Sequence, residues 1–257
     1  VNVASRYGGI SLGNQRLMGL NNIELISDRP LEDNLREIGE VKREFPDRAV
    51  IASVMVESTR EAWHEAIKRI QDSGVDGFEL NFGCPHGMSE RGQGSAVGQV
   101  PEYCERIVGW AKEASRLPVL VKLTPNVTDI VPVGRAAKRA GADGISLINT
   151  LNSIMGVDIH SFSPRPSVGG LGSHGGYCGP AVKPIALNMV ASLAGDAEMG
   201  GIALSGIGGI KSWNDAVEFM LLGATSVQVC TAVMHKGFGV VKAMIRGLEA
   251  YMAEKGF

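Results

Sequence analysis

The stretch Phe78-Glu79-Leu80-Asn81-Phe82-Gly83-Cys84-Pro85 is an apolar run that stops abruptly in a carboxamide, a thiol and a proline. Leu80, Phe82 and their neighbours have the near-continuous apolar character of a parallel strand buried on both faces, and Gly83 and Pro85 end it. Asn81 and Cys84 are thereby delivered to the strand's C-terminal end. In barrels and open sheets of parallel strands, ligands bind outside those ends. Taken singly, Cys84 also reads as a small buried hydrophobe and Asn81 as a turn former.

The same rhythm extends on both sides of this strand. We expect strands at 49–55, 77–83, 119–124, 144–150, 201–205 and 225–230, each followed by a helix, at 58–73, 101–116, 129–140, 180–194, 212–222 and 237–255. The first of these helices turns Trp63, Ala66, Ile67 and Ile70 inward and the second Ile107, Val108 and Ala111. Asp129 is placed to open the third. Residues 151–179 read as a long loop, and residues 1–20 as loop or short irregular strands. Leu31, Leu35, Ile38 and Val41 have helical spacing behind Pro30, with Asp28 as a candidate N-cap.

Repeated strand and helix imply a parallel sheet with right-handed crossovers. Closing it as a (β/α)₈ barrel needs two more strands, which the first 48 residues do not supply. The expected fold class is therefore α/β: one domain over 1–257, a TIM-type barrel lacking its first two strands because the chain is a fragment. An open doubly wound sheet is the structural alternative. The start at Val1, without Met or a signal peptide, fits an internal beginning.

Composition narrows the function classes. A net charge of −2 without a Lys/Arg cluster argues against nucleic acid or an acidic membrane surface as partner. No segment reaches the ~18 consecutive apolar residues of a spanning helix. Cys84, Cys104, Cys178 and Cys230 lie far apart, with no C-x-x-C pair for zinc or an iron–sulfur cluster. They read as free thiols of a cytoplasmic protein, and no metal site is expected.

Chemistry gathers at the strand ends. Gly206-Ile207-Gly208-Gly209 precedes a helix start, where uncovered backbone N–H groups suit a phosphate, and Cys230-Thr231 follows the next strand. A tight turn needing positive φ is the plainer reading of the glycines. Gly175-Gly176-Tyr177-Cys178-Gly179 is either a further phosphate donor or a simple loop. Lys122 interrupts Val119-Leu120-Val121-Lys122-Leu123, where a buried ammonium needs an anion. That anion is a ligand edge such as that of a reduced flavin, or Glu79; otherwise the lysine points outward. Asn22, Asn81 and Asn149 each offer donor and acceptor, which suits a heterocycle of alternating N–H and C=O groups; turn asparagines are the alternative. The loop from His86 to Ser95 is long enough to be a lid carrying Cys84 as a general acid.

Asn81-Phe82-Gly83-Cys84-Pro85-His86-Gly87-Met88, Val121-Lys122-Leu123-Thr124-Pro125-Asn126, Ile148-Asn149-Thr150, Gly208-Gly209-Ile210 and Gln228-Val229-Cys230-Thr231 resemble the pyrimidine-reducing FMN domain of the dihydropyrimidine dehydrogenases. That is a branch of the dihydroorotate dehydrogenase-like barrels. The resemblance implies an FMN-containing barrel that reduces uracil and thymine to their 5,6-dihydro forms. By it, Cys84 is the proton donor to C5, and Asn22, Asn81, Asn149 and Thr150 hold the ring. Lys122, Gly179, Ile207, Gly208, Gly209, Cys230 and Thr231 are FMN contacts. It further implies an oligomer and an electron-transfer partner subunit or domain bearing iron–sulfur clusters and NAD(P) or FAD. Where Gly83 stands, family members often have Ser, so one substrate hydrogen bond is absent or comes from backbone. Two readings compete: a dihydroorotate dehydrogenase, whose carboxylate substrate would want a cation that no rim residue but Lys122 supplies, and a non-catalytic barrel serving as a binding subunit.

Overall fold

A computed structural model describes residues 7–10, 18–23, 29–85, 92–167, 171–172 and 174–257. In chain order the elements are β1 (Tyr7–Ile10), β2 (Gly19–Asn22), α1 (Leu31–Glu44), β3 (Ile51–Val54), α2 (Arg60–Gln71), β4 (Gly77–Phe82), α3 (Ser95–Gly98) and α4 (Pro101–Ala114). Then come β5 (Val119–Leu123), α5 (Val131–Arg139), β6 (Gly144–Leu147), β7 (Leu151–Ser153), β8 (Gly156–Asp158), β9 (Ser163–Arg165) and β10 (Gly175–Cys178). The chain continues through α6 (Lys183–Ala194), β11 (Ala203–Ile207), α7 (Trp213–Leu221), β12 (Ser226–Gln228), α8 (Thr231–Lys236) and α9 (Gly239–Lys255).

The six expected strands form one parallel sheet in the order β12-β11-β6-β5-β4-β3. Each strand lies beside its neighbour in sequence, with no reversal of order such as a doubly wound sheet requires. The sheet is also curled. Gln228 on β12 and Glu79 on β4 stand four strand positions apart, roughly 19 Å in a flat sheet, yet their side chains hydrogen-bond at 2.8 Å. A curled parallel sheet wound in sequence order is that of a TIM-type barrel. Among the described residues its free edges are β3 and β12.

The central strands form because both their faces are covered. Phe78, Leu80, Val119, Val121, Leu123, Ile145 and Leu147 are completely buried, and the helices close over them with the expected residues. Trp63 of α2 meets Phe82 edge to face at 6.1 Å, and Ile107, Val108 and Ala111 of α4 are buried. Thr59 caps α2 by accepting from the Ala62 N–H. Asp129 accepts from the Val131 N–H at 3.0 Å, although Ile130 occupies the N-cap position of α5. Asp28 lies outside the described residues, and Pro30 stands at the N-cap of α1.

One expectation changes. The loop at 151–179 contains β7, β8, β9 and β10, and β10 lies between β2 and β7 in an antiparallel sheet of order β1-β2-β10-β7. Strands of three or four residues rich in Gly, Asn and Ser carry no apolar alternation to announce them. The closing helix forms as expected, at Gly239–Lys255, and an unexpected short helix, α8, precedes it, with Gly237 at φ 68° between the two. Among the described residues no helix is long and apolar enough to cross a membrane.

Candidate functional site

Inside the curl, polar side chains from five strands meet. Lys122 Nζ donates to Glu79 Oε2 and to Gln228 Oε1, both at 3.2 Å. Gln228 Nε2 donates to Glu79 Oε1 at 2.8 Å, with Ser146 Oγ at 3.1 Å and Ser205 Oγ at 3.2 Å. The partner weighed for Lys122 in the sequence, Glu79, is thus its partner here, and Lys122 also faces a cleft. Burial pushes the Glu79 carboxyl upward, but the Lys122 ammonium and hydrogen bonds from Ser146, Gln228 and Lys122 outweigh it and hold the group below its ordinary range. A carboxyl lowered in the fold binds its proton more tightly when unfolded, so its stabilisation is complete above the ordinary carboxylate pKa. It fades as pH falls through the folded value. Glu79→Gln should therefore flatten the loss of stability on acidification below about pH 4.5, read as the pH dependence of the urea midpoint.

The cleft opens at the C-terminal ends of the strands and has a volume of about 710 Å³, within the range of small-molecule sites. Of the residues singled out in the sequence, Asn22, Lys122, Asn149, Thr150, Gly179, Ile207, Gly208, Gly209, Cys230 and Thr231 line it. Asn22 arrives on β2, held by the antiparallel sheet, with its Nδ2 3.5 Å from the Gly176 carbonyl. Gly208 and Gly209 have φ of 135° and 76°, and a methyl group on Gly209 would lie 2.7 Å from Lys183 Cβ. Both conformation and space therefore demand glycine there. Behind them, Ser212 and the Lys211 N–H donate to Asp215, which also pairs with Lys183 at 2.7 Å, locking the start of α7.

Asn81 and Cys84 are not among the described residues that line the cleft. Asn81 pairs in register with Lys122, and Cys84 follows three residues later, so both leave the same end of the sheet as the ammonium. Cys84 is buried, and its carbonyl accepts from the Ser95 N–H at 3.1 Å, pinning the strand end to α3. Gly94 packs against it closely enough that a methyl group there would lie 2.7 Å from the Cys84 oxygen. His86 and the rest of the expected lid through Arg91 lie outside the described residues.

Sequence reading missed several cleft residues. Gln228 stands in the quoted motif Gln228-Val229-Cys230-Thr231 but carries no role in the sequence reading. Lys211, Ser212, His235 and Lys236 also line the cleft, and Lys236 Nζ donates to the Lys211 carbonyl at 3.0 Å. The expectation that Lys122 is the sole cation of the rim is therefore corrected. His235 and Lys236 close a short helix whose seat depends on the break at Gly237, which the sequence concealed. The thiols differ in use: burial pushes Cys104 far up, and Cys178 is also raised by burial although Thr231 Oγ1 donates to its sulfur at 3.4 Å. Among the described residues no cluster of three or more metal-ligating side chains occurs.

The family model described as Dihydroorotate dehydrogenase matches residues 12–252. The chain belongs to that family. Within the dihydroorotate dehydrogenase family, it is 44% identical over its whole length to the chloroplastic dihydropyrimidine dehydrogenase (NADP(+)) of Arabidopsis thaliana. It is 42% identical, over 99% of its length, to the NAD-dependent dihydropyrimidine dehydrogenase subunit PreA of Escherichia coli K12. It spans 62% of each of those relatives. With the catalytic subunit of dihydroorotate dehydrogenase B (NAD(+)) from Pyrococcus furiosus it shares 43% identity over 85% of its length and 68% of the relative's. A crystal structure of DHODH from Eimeria tenella in complex with ferulenol superposes with a TM-score of 0.73 over 93% of this chain and 69% of that one, at 19% identity, a likeness of fold.

Proposed function

We propose that this chain is the flavin- and pyrimidine-binding part of an enzyme that reduces the 5,6 double bond of uracil or thymine. The observation that carries the reading is the single cleft on which an ammonium, carboxamides and a positive-φ glycine pair converge. The residues present fit FMN. Gly208, Gly209 and Thr231 suit its phosphate, Gly179, Ile207 and Cys230 flank the tail, and Lys122 lies where the ring's anionic edge would need a cation.

Bound there, FMN would supply the hydride for C6 of the pyrimidine. This chain's own residues bind, orient and protonate. Asn22, Asn149 and Thr150, with Asn81 behind them, hold the ring by its amide edges. Cys84 delivers the proton to C5 from the opposite face. A partner subunit or domain with iron–sulfur clusters and NAD(P) or FAD would supply the electrons, in keeping with one relative named for NADP(+) and another named as a subunit of an NAD-dependent enzyme. Two measurements test the reading: the flavin absorbance of the intact protein, and its turnover with uracil, thymine and orotate. A protein that stays colourless after reconstitution with FMN would be a binding subunit instead.

One observation favours a second reading. Lys211 and Lys236 bring further cations to the cleft, as a carboxylate substrate such as orotate would use. Turnover of orotate without uracil would select it.

The glycine pair gives a separate expectation. Gly209→Ala places a methyl group against Lys183 at positive φ, a strain of roughly 1–2 kcal/mol. FMN affinity should fall by about tenfold or more, measured by fluorescence titration, while uracil KM in the flavin-saturated enzyme changes little.

A further inference from the structure

Gly83 has no positive φ, so its backbone conformation is open to any residue. Space is what forbids a side chain. A methyl group on Gly83 would lie 2.6 Å from both Asn149 Cγ and Nδ2, and closer still to Asn149 Cβ. The Asn149 side chain occupies the volume that residue 83 would otherwise fill.

That position lets Asn149 reach across the strand ends. Its Nδ2 donates to Asn81 Oδ1 at 2.9 Å, and the same oxygen accepts from the Gly83 N–H at 3.1 Å. Its Oδ1 accepts from the Thr150 N–H at 2.8 Å, and its own N–H donates to the Leu123 carbonyl at 2.9 Å. A carboxamide's oxygen and nitrogen are nearly alike in shape, so its partners decide which is which. Here two backbone N–H groups do so. The Gly83 N–H requires an oxygen on Asn81, which requires a nitrogen on Asn149, and the Thr150 N–H requires an oxygen on Asn149's other arm.

We infer that Gly83 is a positioning residue: its missing side chain seats Asn149 against Asn81 and thereby fixes the polarity of the Asn149 carboxamide, which lines the cleft. Both lone pairs of Asn81 Oδ1 are taken. Asn149 Oδ1 likewise accepts from the Thr150 N–H and, at 3.4 Å, from Thr150 Oγ1, so Asn149 keeps one N–H. Asn149 thus offers the cleft an N–H donor suited to a ring carbonyl oxygen of a cyclic ureide, which deepens the proposed function and rests on it.

The test is a double-variant cycle in the intact FMN-loaded protein with Gly83→Ala, Asn149→Gly and both together. Gly83→Ala should lower the melting temperature by roughly 3–10 °C and raise the KM for uracil about tenfold or more, with FMN affinity within about twofold of wild type. In the Asn149→Gly background the same substitution should cost less than about 2 °C, because Cβ, the nearest obstructing atom, is gone with the rest of the side chain. Equal costs in both backgrounds, or an unchanged KM, would overturn the inference. Polarity has its own check: Asn149→Asp, which sets an acceptor against Asn81 Oδ1, should melt below Asn81→Asp, which still accepts from both N–H groups, and the reverse order would refute it. If wild-type protein turns over no pyrimidine, the proposed function falls while the thermal comparisons still decide the packing claim.

Discussion

Cys84→Ala is expected to lower pyrimidine turnover by about 10²- to 10⁴-fold, the usual worth of a positioned general acid, with flavin content unchanged. The separation follows from where the residue stands. Cys84 is buried, and its backbone carbonyl, which alanine keeps, accepts from the Ser95 N–H. Steady-state turnover of uracil beside the visible flavin spectrum reads both parts, and undiminished turnover would reject the assigned role.

Lys122→Met should be the more damaging change to the fold. Glu79 and Lys122 expose only 12% and 17% of their side chains, so losing the ammonium strands a carboxylate in a site that water barely reaches. Breaking such a pair costs about 3–5 kcal/mol. Removing both charges as Lys122→Met with Glu79→Leu should return most of that stability, since well-packed apolar replacements of buried pairs are often neutral. Flavin binding should not return with it. A double variant that regains both would show that the lysine serves the fold alone, and melting curves with and without FMN distinguish the outcomes.

The barrel strands were legible because residues covered on two faces leave continuous apolar runs, as Phe78 to Phe82 and Val119 to Leu123 do. Lys122 stood out because nothing apolar explains it. The role of Gln228 did not, since its partner Glu79 comes within reach only when curvature brings together strands four positions apart. The sheet that carries Asn22 was hidden for a different reason: its central β2–β10 pairing joins residues more than 150 positions apart through glycines and amides. The volume given up by Gly83 is a relation between two loops, and no local pattern encodes it.

That hidden ribbon has a consequence for how the chain can vary. Asn21 and Asn22 are successive residues on β2, one buried and bonded through Nδ2 to Ser153 Oγ at 2.6 Å, the other facing the cleft. Their assignment is set by β10, which arrives after the whole excursion from β7. Slipping a ribbon by one residue reverses its two sides. Lengthening or trimming that excursion by one amino acid would therefore exchange the two amides, and a change made far from the pocket would rewrite which of them the ligand encounters.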